Sequence, residues 1–162
     1  MPTRTLTSSE ELFARQVFSG SIKYYNVRVR DDLGFNNKPW CSPPSVAISP
    51  YYVLHVGPDA YPNTLNGFRR LLIHELTHVW QGQHGVPKGY VLNSAFHQSI
   101  AAITSGGDVA PAYSYTTGLK WWQYNCEQQA SIVEDWYDAG MSSSNSRYVY
   151  ITTNIRPGNA FA

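Results

Sequence analysis

The stretch LLIHELTHVWQGQH, residues 71–84, constrains the fold of this chain more than any other feature. Within it, His74 and His78 are four positions apart, and Glu75 directly follows the first histidine. Four residues make about one turn of an α-helix, so both imidazoles can reach a single point in space. We therefore predict a helix from about Phe68 to Gln81. Its core side would be formed by Leu72, Leu76, Val79 and Trp80.

The same residues form the H-E-x-x-H pattern of zinc hydrolases. In that pattern two imidazoles bind Zn²⁺, and the glutamate takes a proton from the attacking water. Burying two histidines beside a glutamate without a metal would leave polar groups short of partners, so a chance occurrence is costly. We therefore predict His74 and His78 as zinc ligands and Glu75 as the catalytic base.

A third ligand has to come from elsewhere in the chain, because catalytic zinc usually has three protein ligands and one open position. Glu127 lies in NCEQQASIVEDWYD, beside the apolar stripe of a second predicted helix that runs from about Leu119 to Ala139. Packing of the two helices would direct Glu127 at the histidines. The result would be the His, His, Glu set of gluzincin peptidases.

His84 competes for the same position, because its spacing matches the metzincin pattern H-E-x-x-H-x-x-G-x-x-H, and Met141 could form the accompanying methionine turn. The pattern needs glycine at position 81, where the chain leaves the helix, and this sequence has Gln81. We therefore favour Glu127 and expect His84 in a loop or at the rim. The other candidates for the third ligand are His97, His55 and Cys126.

The segments before the motif combine helix and strand signals. Thr7 and Glu10 form a capping box for a helix that runs through ELFARQVF and ends at Gly20. SIKYYNVRVR, residues 21–30, is typical of a strand, with Ile22, Tyr24, Val27 and Val29 pointing inward. DDLGFNNKPWCSPPS is rich in turn residues. VAISPYYVLHV, residues 46–56, predicts an edge strand because it contains a proline, and such an edge could pair with an extended substrate.

The segments after the motif are less clear. SAFHQSIAAIT, residues 94–104, is compatible with a short helix, and RYVYITTNI, residues 147–155, looks extended. The whole chain, residues 1–162, has the length of one domain, and we expect it to be a monomer. Cys41 and Cys126 could form one disulfide or remain two buried thiols.

Composition excludes some kinds of partner. The formal net charge is +1, and no run of basic residues exceeds Arg69 and Arg70, so nucleic acid and anionic membranes are not favoured. No stretch approaches the roughly 20 apolar residues of a membrane span. We also expect no secretory signal, since residues 1–13 lack an apolar run.

Three ordered blocks of the chain resemble a known family: ELFARQVFSGSIKYYNVRVRDD, LLIHELTHVWQGQHG and YNCEQQASIVEDWYDAG. They are similar to the zincin-type metallopeptidase domains at the ends of bacterial type VI secretion spike (valine-glycine repeat) and rearrangement-hot-spot proteins. The resemblance covers most of the chain. It implies zinc bound by His74, His78 and Glu127, with Glu75 as the base. It also implies a minimal zincin-like α+β fold, in which the active-site helix packs on the second ligand helix beside a small antiparallel or mixed sheet whose edge strand borders the cleft.

Two supporting roles remain open in the sequence. Glu134 lies seven residues after Glu127 on the same helix face and could orient a ligand histidine, or it could belong to a solvated acidic face with Asp135 and Asp138. A tyrosine or histidine commonly stabilises the oxyanion. The candidates for that role are His84, His97, Tyr113, Tyr115, Tyr148 and Tyr150.

The leading functional prediction is a zinc-dependent peptide-bond hydrolase. The resemblance implies an antibacterial effector that a contractile secretion system delivers into the periplasm of a target cell, with a secretion spike and a cognate immunity protein as partners. A second hypothesis is a hydrolase of peptidoglycan crosslinks, which the 12 tyrosines, 5 tryptophans and 6 phenylalanines could suit by lining a groove for sugar or peptide. A third is a non-catalytic spike or tail component that zinc only stabilises.

Overall fold

The structure, a computed structural model, describes residues 1–34, 37–46, 49–85 and 113–162. It is a mixed α/β fold with a small mixed sheet. The strands are β1 (Thr3–Arg4), β2 (Val27–Arg30), β3 (Trp40–Ser42) and β4 (Tyr52–His55). The helices are α1 (Ser8–Phe18), α2 (Arg69–His84), α3 (Cys126–Asp138) and α4 (Tyr148–Tyr150), and α4 continues into a π-helical turn, Ile151–Ile155. Short 3₁₀ turns cover Tyr24–Asn26 and Trp121–Gln123.

The sheet has the strand order β1-β2-β4-β3. β2 runs parallel to β4, whereas β1 and β3 are antiparallel to their neighbours. The prediction that the segment containing β4 is an edge strand is therefore wrong. Pro50 precedes the strand and leaves its ladder intact, so β4 pairs on both sides. The edge beside it is β3, which forms within the segment predicted as turn and contacts α2.

The predicted capping box of α1 is confirmed, since the Thr7 side chain accepts from the Glu10 amide and the Glu10 carboxylate accepts from the Thr7 amide. Glu10 is fully buried and also accepts hydrogen bonds from the Arg4 guanidinium and from the amide and hydroxyl of Thr64. Burial alone would raise the pKa of Glu10, but Arg4 and the other donors lower it to about 2. This carboxylate joins β1, α1 and the loop before α2.

The core lies between α2, α3 and the sheet. The predicted inward residues of the strand segment, Ile22, Tyr24, Val27 and Val29, are all buried, as are the predicted core residues of α2. α2 extends three residues beyond the predicted end. α3 begins at Cys126 rather than at Leu119, because Asn125 caps it and accepts from the Gln128 amide. The residues before Asn125 form the separate 3₁₀ turn.

The C-terminal segment is helical, so the prediction of an extended tail is wrong. Its buried residues are Tyr150, Ile151, Asn154 and Ile155, a helical spacing that the alternating letters of YVYI obscure. The Trp80 indole donates to the Ile155 carbonyl at 2.9 Å, which fastens this segment to α2. The segment also contacts α1, and this tertiary packing overrides the local preference for a strand.

Several predictions concern other parts of the chain. The short helix predicted for residues 94–104, with His97, lies outside the described residues. Cys41 and Cys126 are not joined by a disulfide, so that alternative is not realised. Within the described ranges, no helix combines the length and apolar character that a membrane crossing requires.

Candidate metal centre

α2 and α3 pack side by side and bring together His74, His78 and Glu127. One ligand atom from each of these residues lies within 4.8 Å of the other two. His74 Nε2 is 3.2 Å from Glu127 Oε2, and His78 Nε2 is 3.6 Å from Glu127 Oε1. Within the described residues this is the group of histidine, cysteine and acidic side chains that could hold a metal ion.

The spacing of these atoms fits a small divalent cation. Zinc ligands at 2.0 to 2.2 Å in a tetrahedral arrangement are separated by about 3.4 Å. His74 Nε2 and His78 Nε2 each lie close to that distance from one of the two oxygens of Glu127, at 3.2 and 3.6 Å. Two imidazole nitrogens and a carboxylate are also a donor set that zinc accepts. The three side chains therefore match a metal in both chemistry and distance.

The packing leaves Glu75 buried beside this cluster. Glu75 is 3% exposed, and its Oε2 has no hydrogen-bond partner within the described part of the chain. Burial raises the pKa of Glu75, against the charges of His74 and His78, which lower it. A buried carboxylate oxygen without a partner is costly in a purely structural role. As far as the described residues go, Glu75 Oε2 is thus open to a donor from a bound molecule.

The cluster is strongly polarised without a metal. Burial raises the pKa of Glu127, but the neighbouring His78 and His74 overcome this and lower it well below its usual range. Burial likewise lowers the pKa of His74, yet hydrogen bonds to Glu127 and Glu134 raise it to about 10. Burial also lowers the pKa of His78, but the charge of Glu127, a hydrogen bond to Glu127 and the charge of Glu75 together raise it. The pocket therefore favours positive charge between the two helices.

Glu134 contacts the far side of His74. Its Oε2 lies 2.9 Å from His74 Nδ1, and its Oε1 accepts from the Arg70 guanidinium at 2.8 Å. Arg70 is half exposed and also pairs with Asp138. Glu134 therefore contacts His74 as an orienting residue would, and it also shares Arg70 with the acidic face of α3.

Two further residues reach the cluster. Gln81 Oε1 lies 2.8 Å from His78 Nδ1. The sequence drew attention to Gln81 only as a residue that is not glycine, so this contact was missed. Tyr113, one of the six oxyanion candidates, has its ring centre 6.3 Å from that of His74. Burial raises the pKa of Tyr113 to about 12, assisted by the charges of Glu127 and Glu75 and by a hydrogen bond to Glu127.

The two other described histidines that were candidates for the third ligand form hydrogen bonds away from the cluster. His84 ends α2, and its Nε2 lies 2.6 Å from the Ser21 carbonyl oxygen, with Gly158 against its ring. His55 lies in the sheet between Asp32, at 2.7 Å from Nδ1, and Ser42, at 3.0 Å from Nε2. That array has the order of a Ser-His-Asp triad, but Ser42 is fully buried, so no substrate reaches it.

The remaining candidates also have other surroundings. Tyr148 stacks on Trp136, and Tyr115 donates to Asp135 at 2.6 Å. The Tyr150 hydroxyl donates to the Leu119 carbonyl and accepts from the Gly118 amide. Burial and then the charge of Glu127 raise the pKa of the Cys126 thiol to about 12. Such a thiol is neutral at physiological pH, which does not favour it as a ligand.

Comparison with known proteins relates this chain to part of a secretion spike protein. The chain is 34% identical over 164 residues to the type VI secretion system spike protein VgrG2b of Pseudomonas aeruginosa PAO1, an alignment that covers 96% of the chain and 15% of that protein. The solved effector domain of P. aeruginosa VgrG2b superposes with a TM-score of 0.62 at 28% identity, covering 94% of this chain and 83% of that one. The chain is homologous to that effector domain.

The extent of the match limits what it carries over. The chain spans about 15% of the length of the curated relative it matches, and the aligned part corresponds to the effector domain rather than to the whole spike protein. No family model matches the chain. The homology is therefore to the effector domain of a type VI secretion spike protein.

Proposed function

We propose that this chain is a zinc-dependent peptide-bond hydrolase that acts as a type VI secretion effector. The observation that carries the proposal is the convergence of His74, His78 and Glu127 beside the buried carboxylate of Glu75. A structural metal site is usually closed by four protein ligands, whereas a catalytic site keeps a position open. Three ligands, and a nearby carboxylate oxygen without a partner, both counted over the described residues, favour the catalytic alternative over a zinc ion that only stabilises a spike component.

His74 Nε2, His78 Nε2 and one carboxylate oxygen of Glu127 would hold the zinc. When bound, zinc supplies Lewis-acid chemistry, because it polarises a carbonyl and makes a water more acidic. Glu75 acts as the general base and then the general acid. Its Oε2 accepts a proton from the attacking water and later delivers it to the leaving amine. Burial of Glu75 excludes bulk water from the carboxylate that carries this proton.

Two neighbours complete the proposed machinery. Glu134 keeps His74 in place by accepting from its Nδ1–H, and Arg70 in turn fixes Glu134. Among the six oxyanion candidates we choose Tyr113, since it is hydrogen-bonded to Glu127 and lies against His74. With a pKa of about 12, its hydroxyl keeps its proton at neutral pH and can donate it to a developing negative charge.

The substrate is a protein or peptide of a target cell, and the site of action is the cell envelope. This part of the proposal is supported by the homology to an effector domain of a type VI secretion spike protein. It includes delivery on a spike and protection of the producing cell by an immunity protein. Cleavage of peptidoglycan crosslinks would use the same residues, so substrate class is an outcome of the experiment below.

Replacing Glu75 with glutamine tests the proposal. The Glu75→Gln variant should retain stoichiometric zinc and lose hydrolysis by about 10²- to 10⁴-fold, the usual contribution of a general base. Exposed Glu11 on α1, paired with Arg15, offers a matched control, and Glu11→Gln should keep full activity. Purified protein would be assayed on a denatured protein mixture and on isolated peptidoglycan, with toxicity measured after export to the periplasm. Unchanged hydrolysis and toxicity in Glu75→Gln would overturn the proposal.

A further inference from the structure

Gln81 lies at the centre of a buried chain of amide hydrogen bonds that joins α2 to α3. Its Oε1 lies 2.8 Å from His78 Nδ1, and its Nε2 donates to the Cys126 carbonyl at 2.9 Å and to Gln129 Oε1 at 3.0 Å. Gln129 continues the chain by donating to the Trp121 carbonyl at 2.9 Å. Gln81 is 2% exposed, so water does not compete for these contacts.

The backbone fixes the direction of every hydrogen bond in this chain. The carbonyls of Trp121 and Cys126 can only accept, so the nitrogen end of each glutamine amide has to face its carbonyl. The oxygen of Gln129 then faces Gln81, and the oxygen of Gln81 faces His78. Because an amide oxygen only accepts, the Nδ1 of His78 has to carry a proton.

We propose that Gln81 is a positioning residue that sets His78 as a metal ligand and ties it to the helix that carries Glu127. The protonated Nδ1 of His78 donates to Gln81 Oε1. His78 Nε2 then points at Glu127 Oε1, 3.6 Å away. The contact to the Cys126 carbonyl anchors the same amide one residue before Glu127. One side chain therefore fixes two ligands from two helices relative to each other. This inference rests on the proposed function, because the proposed function is what assigns a metal to the cluster.

The two ligand histidines are thus oriented by different chemistry. His74 contacts a carboxylate that is part of a half-exposed network of charges with Arg70. His78 contacts a neutral amide whose two N–H groups and oxygen are all used within the protein. Methionine, which has nearly the same length and no hydrogen-bonding ends, would remove the amide contacts while filling similar space. That makes Gln81→Met the informative substitution.

Zinc affinity, measured by competition with a chromogenic chelator, is the first readout. Loss of an outer partner of a ligand histidine typically weakens metal binding by about 10- to 100-fold, and we expect a loss of that size in Gln81→Met. Gln83, two residues further along α2, bonds only to the backbone of Lys23 in the described residues, so Gln83→Met is the matched control. Gln129→Met, one link further from His78, should weaken zinc binding less than Gln81→Met.

Imidazole nitrogen NMR of His78 is the second readout, and it does not depend on a metal. The wild-type protein should show a His78 Nδ1–H signal protected from exchange, and Gln81→Met should lose it. Retention of that signal, or a zinc affinity within about twofold of wild type, would overturn the inference. If the wild-type protein binds no zinc, the proposed function fails, and the His78 signal in the two proteins decides the role of Gln81 alone.

Discussion

Glu10 and Glu75 are two buried glutamates that the fold treats in opposite ways. Glu10 is 0% exposed and Glu75 is 3% exposed, so burial does not separate them. Both oxygens of Glu10 accept from Arg4, with the groups of Thr7 and Thr64 adding further donors, and its pKa is about 2. Oε2 of Glu75 has no partner among the described residues, and burial raises the pKa of Glu75.

The difference lies in the supply of donors. A carboxylate whose lone pairs are all used by the protein is a structural joint, because any reaction at it would first break those bonds. A carboxylate left short of donors costs stability, and it is free to exchange a proton with a bound molecule. In this fold Glu10 joins β1, α1 and the loop before α2, and Glu75 is the carboxylate to which we assign the proposed chemistry.

Replacing each glutamate with glutamine should give the largest difference in stability between the two sites. Glu10→Gln leaves the Arg4 guanidinium without its anion, and we expect the free energy of unfolding to fall by about 3 kcal/mol or more. Glu75→Gln removes a charge that has few donors, so its stability should stay within about 1 kcal/mol of wild type. Urea unfolding at pH 7 in the presence of a chelator measures both. Equal losses in the two variants would contradict the distinction.

Metal removal should lower the free energy of unfolding only through the cluster around Glu75. With free zinc at 100 times its dissociation constant, binding adds about 2.7 kcal/mol to the free energy of unfolding, and a chelator removes that gain. Glu127→Ala lacks one proposed ligand and should unfold at the same temperature with or without a chelator. Thermal unfolding followed by circular dichroism makes the measurement. A chelator that leaves wild-type unfolding unchanged would count against the metal.

Acid should remove the stability that Glu10 contributes to the fold. The folded pKa of Glu10, about 2, lies below its ordinary value of 4.5, so this group stabilises the fold at pH values above 4.5. That contribution is lost as pH falls toward 2, and between pH 5 and pH 3 it amounts to about 2 kcal/mol. Urea unfolding at the two pH values, in wild type and in Glu10→Gln, isolates it. The variant should lose less stability than wild type by that amount.

Glu134 gives the smallest expected effect. The Glu134→Gln variant keeps an acceptor for His74 Nδ1 and loses the charge, so zinc affinity should fall by about tenfold, the low end for an outer partner. The pair of Arg70 with Glu134 is half exposed and screened by salt, which limits the loss. Chelator competition at low and high salt tests this, with Glu11→Gln as the control. An unchanged affinity would assign Glu134 to the solvated acidic face.

Local signals in the sequence were sufficient for the helices that form the site. The capping box of α1, the histidine spacing of α2 and the apolar stripe of α3 each lie within one helix, and Glu127 could be inferred because two such helices must pack. Interactions between distant segments were harder to predict. The sheet order places β4 in the centre because its partners lie in other segments, one of them read as turn.

The contacts of single polar residues were the least predictable. In the sequence, Gln81 stood out only because the metzincin pattern has glycine at that position. Its contacts could not be inferred, because they depend on a carbonyl in a helix more than 40 residues away. The helical C-terminal segment was misjudged for a related reason. Its burial pattern is set by contacts with α1 and Trp80, and the alternating β-branched and aromatic letters favour a strand when they are taken alone.

Anomalous diffraction at the zinc absorption edge, on crystals grown with zinc, tests the central claim most directly. We predict a single strong peak whose neighbours are His74 Nε2, His78 Nε2 and a carboxylate oxygen of Glu127, with Glu75 close by and not a ligand. A peak that has His84 in place of Glu127, or no peak between α2 and α3, would contradict the proposed site.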